Sequence, residues 1–347
     1  MNILIVGNLG YIGPCVVEHF RNVRPGDRLY GYDIGFFEGN VSVRHGMMAE
    51  SGLVVQYYGD VRSLDPSLLK NMDVVVYLAA ISNDPMGKQF EAPTYDINET
   101  CAVRLAAEAK KAGVKNFVFA SSCSVYGLAD QTARTEASDI NPLTAYAKSK
   151  VNAERGLEKV AAPDFFVTCL RFATACGMSQ RLRLDLVLND FVASAISTGV
   201  IDILSDGKPW RPLINVKDMA LAIDWASDRR SGDPFLVVNA GSDVWNYQVI
   251  DLANAVRKCL PQTEIRVNPN AQPDNRSYKV SFGMFASLAP EHTPRCTLEG
   301  TINDLVKGLQ AIGFRDKDFR NSNLVRLRTL NDLISAGRLD AQLKLVR

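Results

Sequence analysis

The first thirteen residues constrain the fold more than any other stretch. Met1-Asn2-Ile3-Leu4-Ile5-Val6 is an apolar, β-favouring run that opens directly into glycines at Gly7, Gly10 and Gly13, and an amphipathic stretch follows through His19-Phe20. A strand turning tightly into a helix gathers backbone N–H groups and the positive end of the helix dipole at one point. Glycine lets the backbone approach a pyrophosphate there. A second run, Arg28-Leu29-Tyr30-Gly31-Tyr32-Asp33, ends in an acid about twenty residues on. A carboxylate at that place accepts both hydroxyls of an adenosine ribose and repels a 2′-phosphate, which favours NAD over NADP. The plainer reading of Asp33 is an exposed turn residue.

The same alternation continues. Strands are predicted over 53–57, 73–80, 116–120 and 165–170, and helices over 66–70, 92–112 and 144–161. Asp65 is placed to cap the first of those helices, with Pro66 at its first position. The run at 73–80 is almost wholly apolar, as befits a strand buried on both faces. Repeated βαβ units predict an α/β, Rossmann-type, doubly wound parallel sheet whose ligand lies beyond the carboxyl ends of the strands. The expected division is a dinucleotide-binding domain over 1–172, with 213–240 returning to it, and a smaller α/β substrate-binding region over 173–347.

Tyr146 and Lys150 stand four residues apart in Thr144-Ala145-Tyr146-Ala147-Lys148-Ser149-Lys150. On a helix they share one face. A cation beside a phenol favours phenolate and draws its pKa down from near ~10. Such a group can remove or return a hydroxyl proton while the carbon bearing that hydroxyl loses or gains hydride. Other chemistries have less support. The net charge of +1 suggests neither nucleic acid nor an anionic membrane surface as a partner. The seven cysteines (15, 101, 123, 169, 176, 259, 296) form no CxxC, and His19, His45 and His292 are far apart. Reduced thiols in a cytoplasmic protein are expected, with no metal site and no membrane span.

Several co-linear motifs carry a family resemblance. The loop Gly7-Asn8-Leu9-Gly10-Tyr11-Ile12-Gly13, the pair Asp60-Val61, the stretch Leu78-Ala79-Ala80, Asn98, and the strand end Ser121-Ser122-Cys123-Ser124-Val125-Tyr126-Gly127 occur in order ahead of Tyr146 and Lys150. The chain thus resembles the extended short-chain dehydrogenases/reductases, the family of nucleotide-sugar epimerases, dehydratases and 4-ketoreductases. The resemblance implies that the glycine loop, Asp33, Asp60, Val61, Leu78, Ala79, Ala80, Asn98, Ser121, Tyr146 and Lys150 contact NAD. It implies Ser122, Tyr146 and Lys150 as the catalytic set, with Lys150 also lowering the tyrosine's pKa.

In the second half, Thr174 stands where relatives often carry an asparagine. Arg181 and Arg183 follow in a polar insertion, then Asn189 in an apolar helix at 184–196. Arg211 and Arg276 lie in segments that resemble those supplying two arginines to a substrate diphosphate. By resemblance Ser122, Ser124, Thr174, Arg181, Asn189, Arg211 and Arg276 contact a nucleotide-diphosphate sugar. Dehydratases place an Asp-Glu pair where this chain has Cys123-Ser124. The readings left are an NAD-dependent epimerase acting at a hydroxyl carbon, C4, and an NAD(P)H-dependent 4-ketoreductase. A dinucleotide-binding sensor or scaffold is the non-enzyme alternative. The C-terminal helix expected over 321–339 reads as packing or oligomer surface, and a homodimer is expected by resemblance.

Overall fold

A computed structural model describes residues 1–42, 48–127, 132–268 and 277–346. Six strands arise in the first half: β1 (Asn2–Val6), β2 (Arg28–Asp33), β3 (Val55–Tyr58), β4 (Val74–Tyr77), β5 (Asn116–Ser122) and β6 (Phe166–Phe172). Six more follow: β7 (Thr174–Cys176), β8 (Val200–Ile203), β9 (Trp210–Asn215), β10 (Phe235–Ala240), β11 (Asn246–Gln248) and β12 (Glu264–Val267). The main sheet has seven strands in the order β10-β6-β5-β4-β1-β2-β3, and its ladders are all parallel. From β1 the chain winds first to β2 and β3 and then crosses to β4. The loops after β1 and β4 therefore diverge and leave a crevice at their carboxyl ends. The N–H groups of Leu78 and Ala79 both bond the Val6 carbonyl, which fixes those two loops side by side.

Alternation along the strands builds an apolar layer on each face of the sheet. Ile3, Ile5, Val74, Val76 and Val118 pack with Phe20 of α1 (Gly13–Val23). Leu4, Val75, Tyr77, Phe117 and Phe119 pack on the other face with the helices that follow β4. Those helices are α2 (Asp84–Gln89), α3 (Glu91–Tyr95), a π turn at Asp96–Thr100 and α4 (Cys101–Lys111). The single helix expected over 92–112 is thus interrupted. Helix α5 (Ala145–Glu158) joins that layer, capped by Thr144, whose Oγ1 accepts from the Ala147 N–H at 3.2 Å; such a cap stabilises by roughly 1 kcal/mol.

The second half adds α6 (Val187–Ser197), α7 (Val216–Ser227), α8 (Val249–Cys259), α9 (Gly283–Leu288), α10 (Leu298–Ala311) and α11 (Arg326–Ser335). It carries a small sheet, β11-β9-β7, and the parallel pair β12-β8. Strand β10 lies at the edge of the main sheet beside β6. The last segment also returns to the first half: Leu330, Leu339 and Leu343 join the layer of α4 and α5. Arg62 secures it by donating to the Gln342 and Leu343 carbonyls at 2.6 and 2.8 Å. Among the described residues, no helix is long and apolar enough to cross a membrane.

Candidate active site

A cavity of about 900 Å³ opens at the carboxyl ends of β1, β2, β4 and β5 and runs on to Arg211 and Tyr278 of the second half. Its near end is the glycine loop. Gly7 has φ +88°, and a Cβ there would stand 2.4 Å from the Ala79 nitrogen. A Cβ on Gly13 would meet the Asn8 carbonyl oxygen at 2.0 Å. No side chain caps α1 at Ile12, and its first turn holds no acidic residue. The loop thus leaves the helix N-terminus open to an anion and free of competing charge, which suits the pyrophosphate of a dinucleotide. Gly7, Gly10, Tyr11 and Ile12 line the cavity. Asn8 instead faces Gln56, donating at 2.6 Å, and Leu9 is buried.

Asp33 lines the same end. Its carboxylate accepts from the Leu9 N–H at 2.9 Å and the Gly35 N–H at 2.8 Å, so it holds the loop as well as facing the ligand space. Burial pushes its pKa up, and those two N–H groups draw it back. Asp60, Val61, Leu78, Ala79 and Ala80 also line the cavity, and the Asp60 carboxylate is ion-paired to Arg62 at 2.6 Å.

The reactive end stands on β5 and α5. Ser122, Tyr146 and Lys150 all line the cavity, and the Ser122 hydroxyl stands near enough to the Tyr146 phenol to lower its pKa. The Lys150 ammonium sits 5.8 Å from the Tyr146 ring centre and 4.6 Å from that of Phe119, and donates to the Ala120 carbonyl at 2.7 Å. Burial lowers the Lys150 pKa to about 7, opposed by Glu154. Burial, aided by the charge of Asp84, raises the Tyr146 pKa, and the Ser122 hydroxyl and the charge of Arg183 partly oppose the rise. Arg183 adds a cationic influence on the phenol beside the expected one of Lys150. Below the site, Glu154 and Arg171 form a buried pair at 2.7 Å.

Several expected ligands prove to serve the fold. Asn98 does not line the cavity; its amide bonds the backbone of Ile81 at both ends and donates to Ser149, so it holds the loop after β4 against α5. Ser121 does line the cavity, with its hydroxyl donating to Glu154 at 2.5 Å. Asn189 is fully buried and bonds the Gly177 N–H, the Tyr11 hydroxyl and the Arg183 carbonyl. Arg181 is buried away from the cavity and paired with Glu50. In each case a buried polar group had to find a partner, and the partner is internal.

Arg183 takes the place expected of Arg181. It lines the cavity, grips Asp185 through two bonds of 3.0 and 2.9 Å, and donates to Ser82 at 2.8 Å. Thr174, Arg211 and Ser124 line the cavity as expected. The Ser124 hydroxyl is buried with no hydrogen-bond partner among the described residues. Arg276 lies outside the described residues. The Cys123 thiol contacts the Arg171 carbonyl at 3.1 Å, and burial pushes its pKa up, so it is an inert packed thiol. The structure adds α11, which the sequence assigned to packing: Val325, Arg326 and Leu327 line the cavity. Nothing in their local pattern signals this.

The model of the NAD dependent epimerase/dehydratase family matches residues 3–241. The UDP-glucose 4-epimerase of Pasteurella multocida is 30% identical over 288 residues, covering 74% of this chain and 82% of the relative. A solved UDP-glucuronic acid 4-epimerase from Bacillus cereus, in complex with UDP-glucuronic acid and NAD, superposes with a TM-score of 0.76 at 19% identity, covering 89% of this chain and 99% of that one. MoeE5 in complex with UDP-glucose and NAD gives 0.76 at 24% identity, with 89% and 99% covered. These structural likenesses concern the fold.

Proposed function

The chain belongs to the NAD-dependent epimerase/dehydratase family, and from that premise we propose that it is an NAD-dependent nucleotide-sugar epimerase acting at a hydroxyl carbon of the sugar, C4. One observation carries the reading: a single cavity joins the open glycine loop and Asp33 to Ser122, Tyr146 and Lys150, and continues past Thr174 to Arg211. A dinucleotide and a nucleotide sugar then meet at the tyrosine. Gly7, Gly10, Tyr11, Ile12 and Asp33 would hold the cofactor, and Lys150 its nicotinamide ribose.

When bound, NAD would take up a hydride from the sugar carbon and return it. Tyr146, as phenolate, accepts the proton of the hydroxyl on that carbon and later gives it back. Ser122 hydrogen-bonds the same oxygen and steadies its charge. Inversion requires the sugar to present its other face between the two transfers. The Ser122 hydroxyl and Arg183 oppose the rise in the phenol's pKa that burial brings. Arg211, which lines the far end of the cavity, would bind the diphosphate. Cys123-Ser124 supply no carboxylic acid for water loss, and Asp33 disfavours a 2′-phosphate.

Mass spectrometry should find NAD on the purified chain, and UDP-glucose should be converted to UDP-galactose with no reductant added. Conversion that needs added NADPH and a 4-keto sugar would refute the reading. The same proposal includes a homodimer through the helices within 92–112 and 144–161, read out as twice the chain mass in light scattering. It also includes a cytoplasmic setting, with which seven free cysteines agree, and the division at about residue 172 between cofactor and substrate regions.

A further inference from the structure

Of the helix N-termini that line the cavity, two have neither a side-chain cap nor an acidic residue in the first turn. One is α1, behind the glycine loop. The other is α11, whose N-cap Val325 makes no side-chain cap. Arg326, the first residue of α11, is 1% exposed. Its Nη2 donates to the Arg181 carbonyl at 2.7 Å, and its guanidinium carbon lies 4.5 Å from the centre of the Phe37 ring. Its Nη1 is buried with no hydrogen-bond partner among the described residues. The neighbouring arginines are matched, Arg181 by Glu50 and Arg183 by Asp185. Arg326 has no such partner among the described residues.

A buried guanidinium without a bonded counter-charge is costly. Burial and the repulsion of Arg183 and Arg181 push its pKa down to about 9. An anionic ligand beside the free Nη1 and the uncapped helix end would supply both the missing charge and the missing acceptors. The neighbours indicate which end of the cavity it serves. Besides the Arg183–Asp185 pair, its charge reaches Asp33 and Tyr11, and its ring contact, Phe37, lines the cavity just beyond β2 with them. Those residues belong to the dinucleotide end, away from Arg211.

We infer that Arg326 and the N-terminus of α11 bind the pyrophosphate of the dinucleotide together with the glycine loop, so that the C-terminal segment latches the cofactor in place. The inference rests on the reading of this cavity as an NAD site. It suits an enzyme that regenerates its cofactor on every turnover, since the dinucleotide gains by not leaving. It also ties cofactor retention to the docking of Leu330, Leu339 and Leu343 on the sheet.

The test uses the full chain, wild type and Arg326→Gln, with Arg326→Lys as the charge-conserving control. Bound NAD per chain is measured by mass spectrometry. After cofactor removal, the affinities for NAD, ADP, adenosine and UDP are measured by calorimetry. Arg326→Gln should lose about tenfold or more toward NAD and ADP, keep its affinity for adenosine and UDP, and regain part of the loss as lysine. In the wild-type chain, ADP should protect the first-turn amides of α11 from hydrogen exchange while adenosine does not; this arm stands even if the variant fails to fold. Unchanged NAD and ADP affinity, an equal loss for adenosine, or a loss confined to UDP would overturn the inference while leaving NAD binding intact. A wild-type chain that binds no NAD would instead overturn the functional reading itself.

Discussion

The two walls of the cavity are built on different principles. The wall from the first half presents Gly7, Gly10, Asp33 and Ser122 at strand ends and loops, with Tyr146 on α5. The wall from the second half is largely apolar and carries two long, buried cations, Arg183 on a loop and Arg326 at the start of α11. The first wall positions reacting atoms through local chain geometry. The second shapes the field they sit in, because a cation in a dry site acts over several ångströms. Catalytic machinery can therefore be spread over distant segments, one supplying contacts and the other supplying charge.

The strongest way to break this contrast is Tyr146→Phe. Removing the proton carrier should lower turnover by about 10³-fold or more, with an unchanged melting temperature; activity within a few fold of wild type would discard the first wall as the reactive one. Gly7→Ala comes next. The added Cβ would meet the Ala79 nitrogen at 2.4 Å in a left-handed backbone, and strain of about 1–3 kcal/mol should strip NAD from the purified protein, read as a fall in bound cofactor.

Arg183→Met tests the second wall. Arg183 lowers the Tyr146 pKa, so its loss should raise it. The rise of kcat/KM with pH should then shift to higher pH by about one unit, or about tenfold in rate on the acid side. A profile that keeps its midpoint and falls uniformly would reduce Arg183 to a packing role.

The smallest effect concerns the cost of readiness. Lys150 has a folded pKa of about 7, against about 10.4 for an ordinary lysine. Between those values the unfolded chain binds more protons, so Lys150 makes stability rise with pH over that window, and its penalty is complete below pH 7. Lys150→Met should abolish turnover yet raise the melting temperature of the cofactor-free protein at pH 6 by about 2 °C or more, with the gain vanishing near pH 10. A lower melting temperature at pH 6 would mean that the ammonium's bond to Ala120 outweighs its burial.

Legibility follows the same division. The strand at 28–33, the glycine loop before α1 and the cap at Asp65 lie where sequence patterns place them. Tyr146 and Lys150 are visible from helical spacing, and Ser122 from the family resemblance of its strand end. Asn98, Asn189 and Arg181 were misread because a polar side chain in sequence carries no sign of its partner. Asn98 found a backbone seventeen residues away, and Arg181 found Glu50. Arg326 was missed altogether. Its local pattern is that of an ordinary amphipathic helix, and its neighbours Asp33 and Phe37 stand nearly three hundred residues earlier.

By itself the sequence determined what short-range physics controls: the strand–glycine–helix turn, the alternation that builds a parallel sheet, and the face shared by Tyr146 and Lys150. Those follow from steric limits and periodicities acting over a few residues. The tertiary structure alone decided which arginine faces the cavity, which asparagines serve the fold, and that the end of the chain closes the site. Those outcomes depend on which buried charges find partners once distant segments meet, and that balance between desolvation and pairing is absent until the chain has packed.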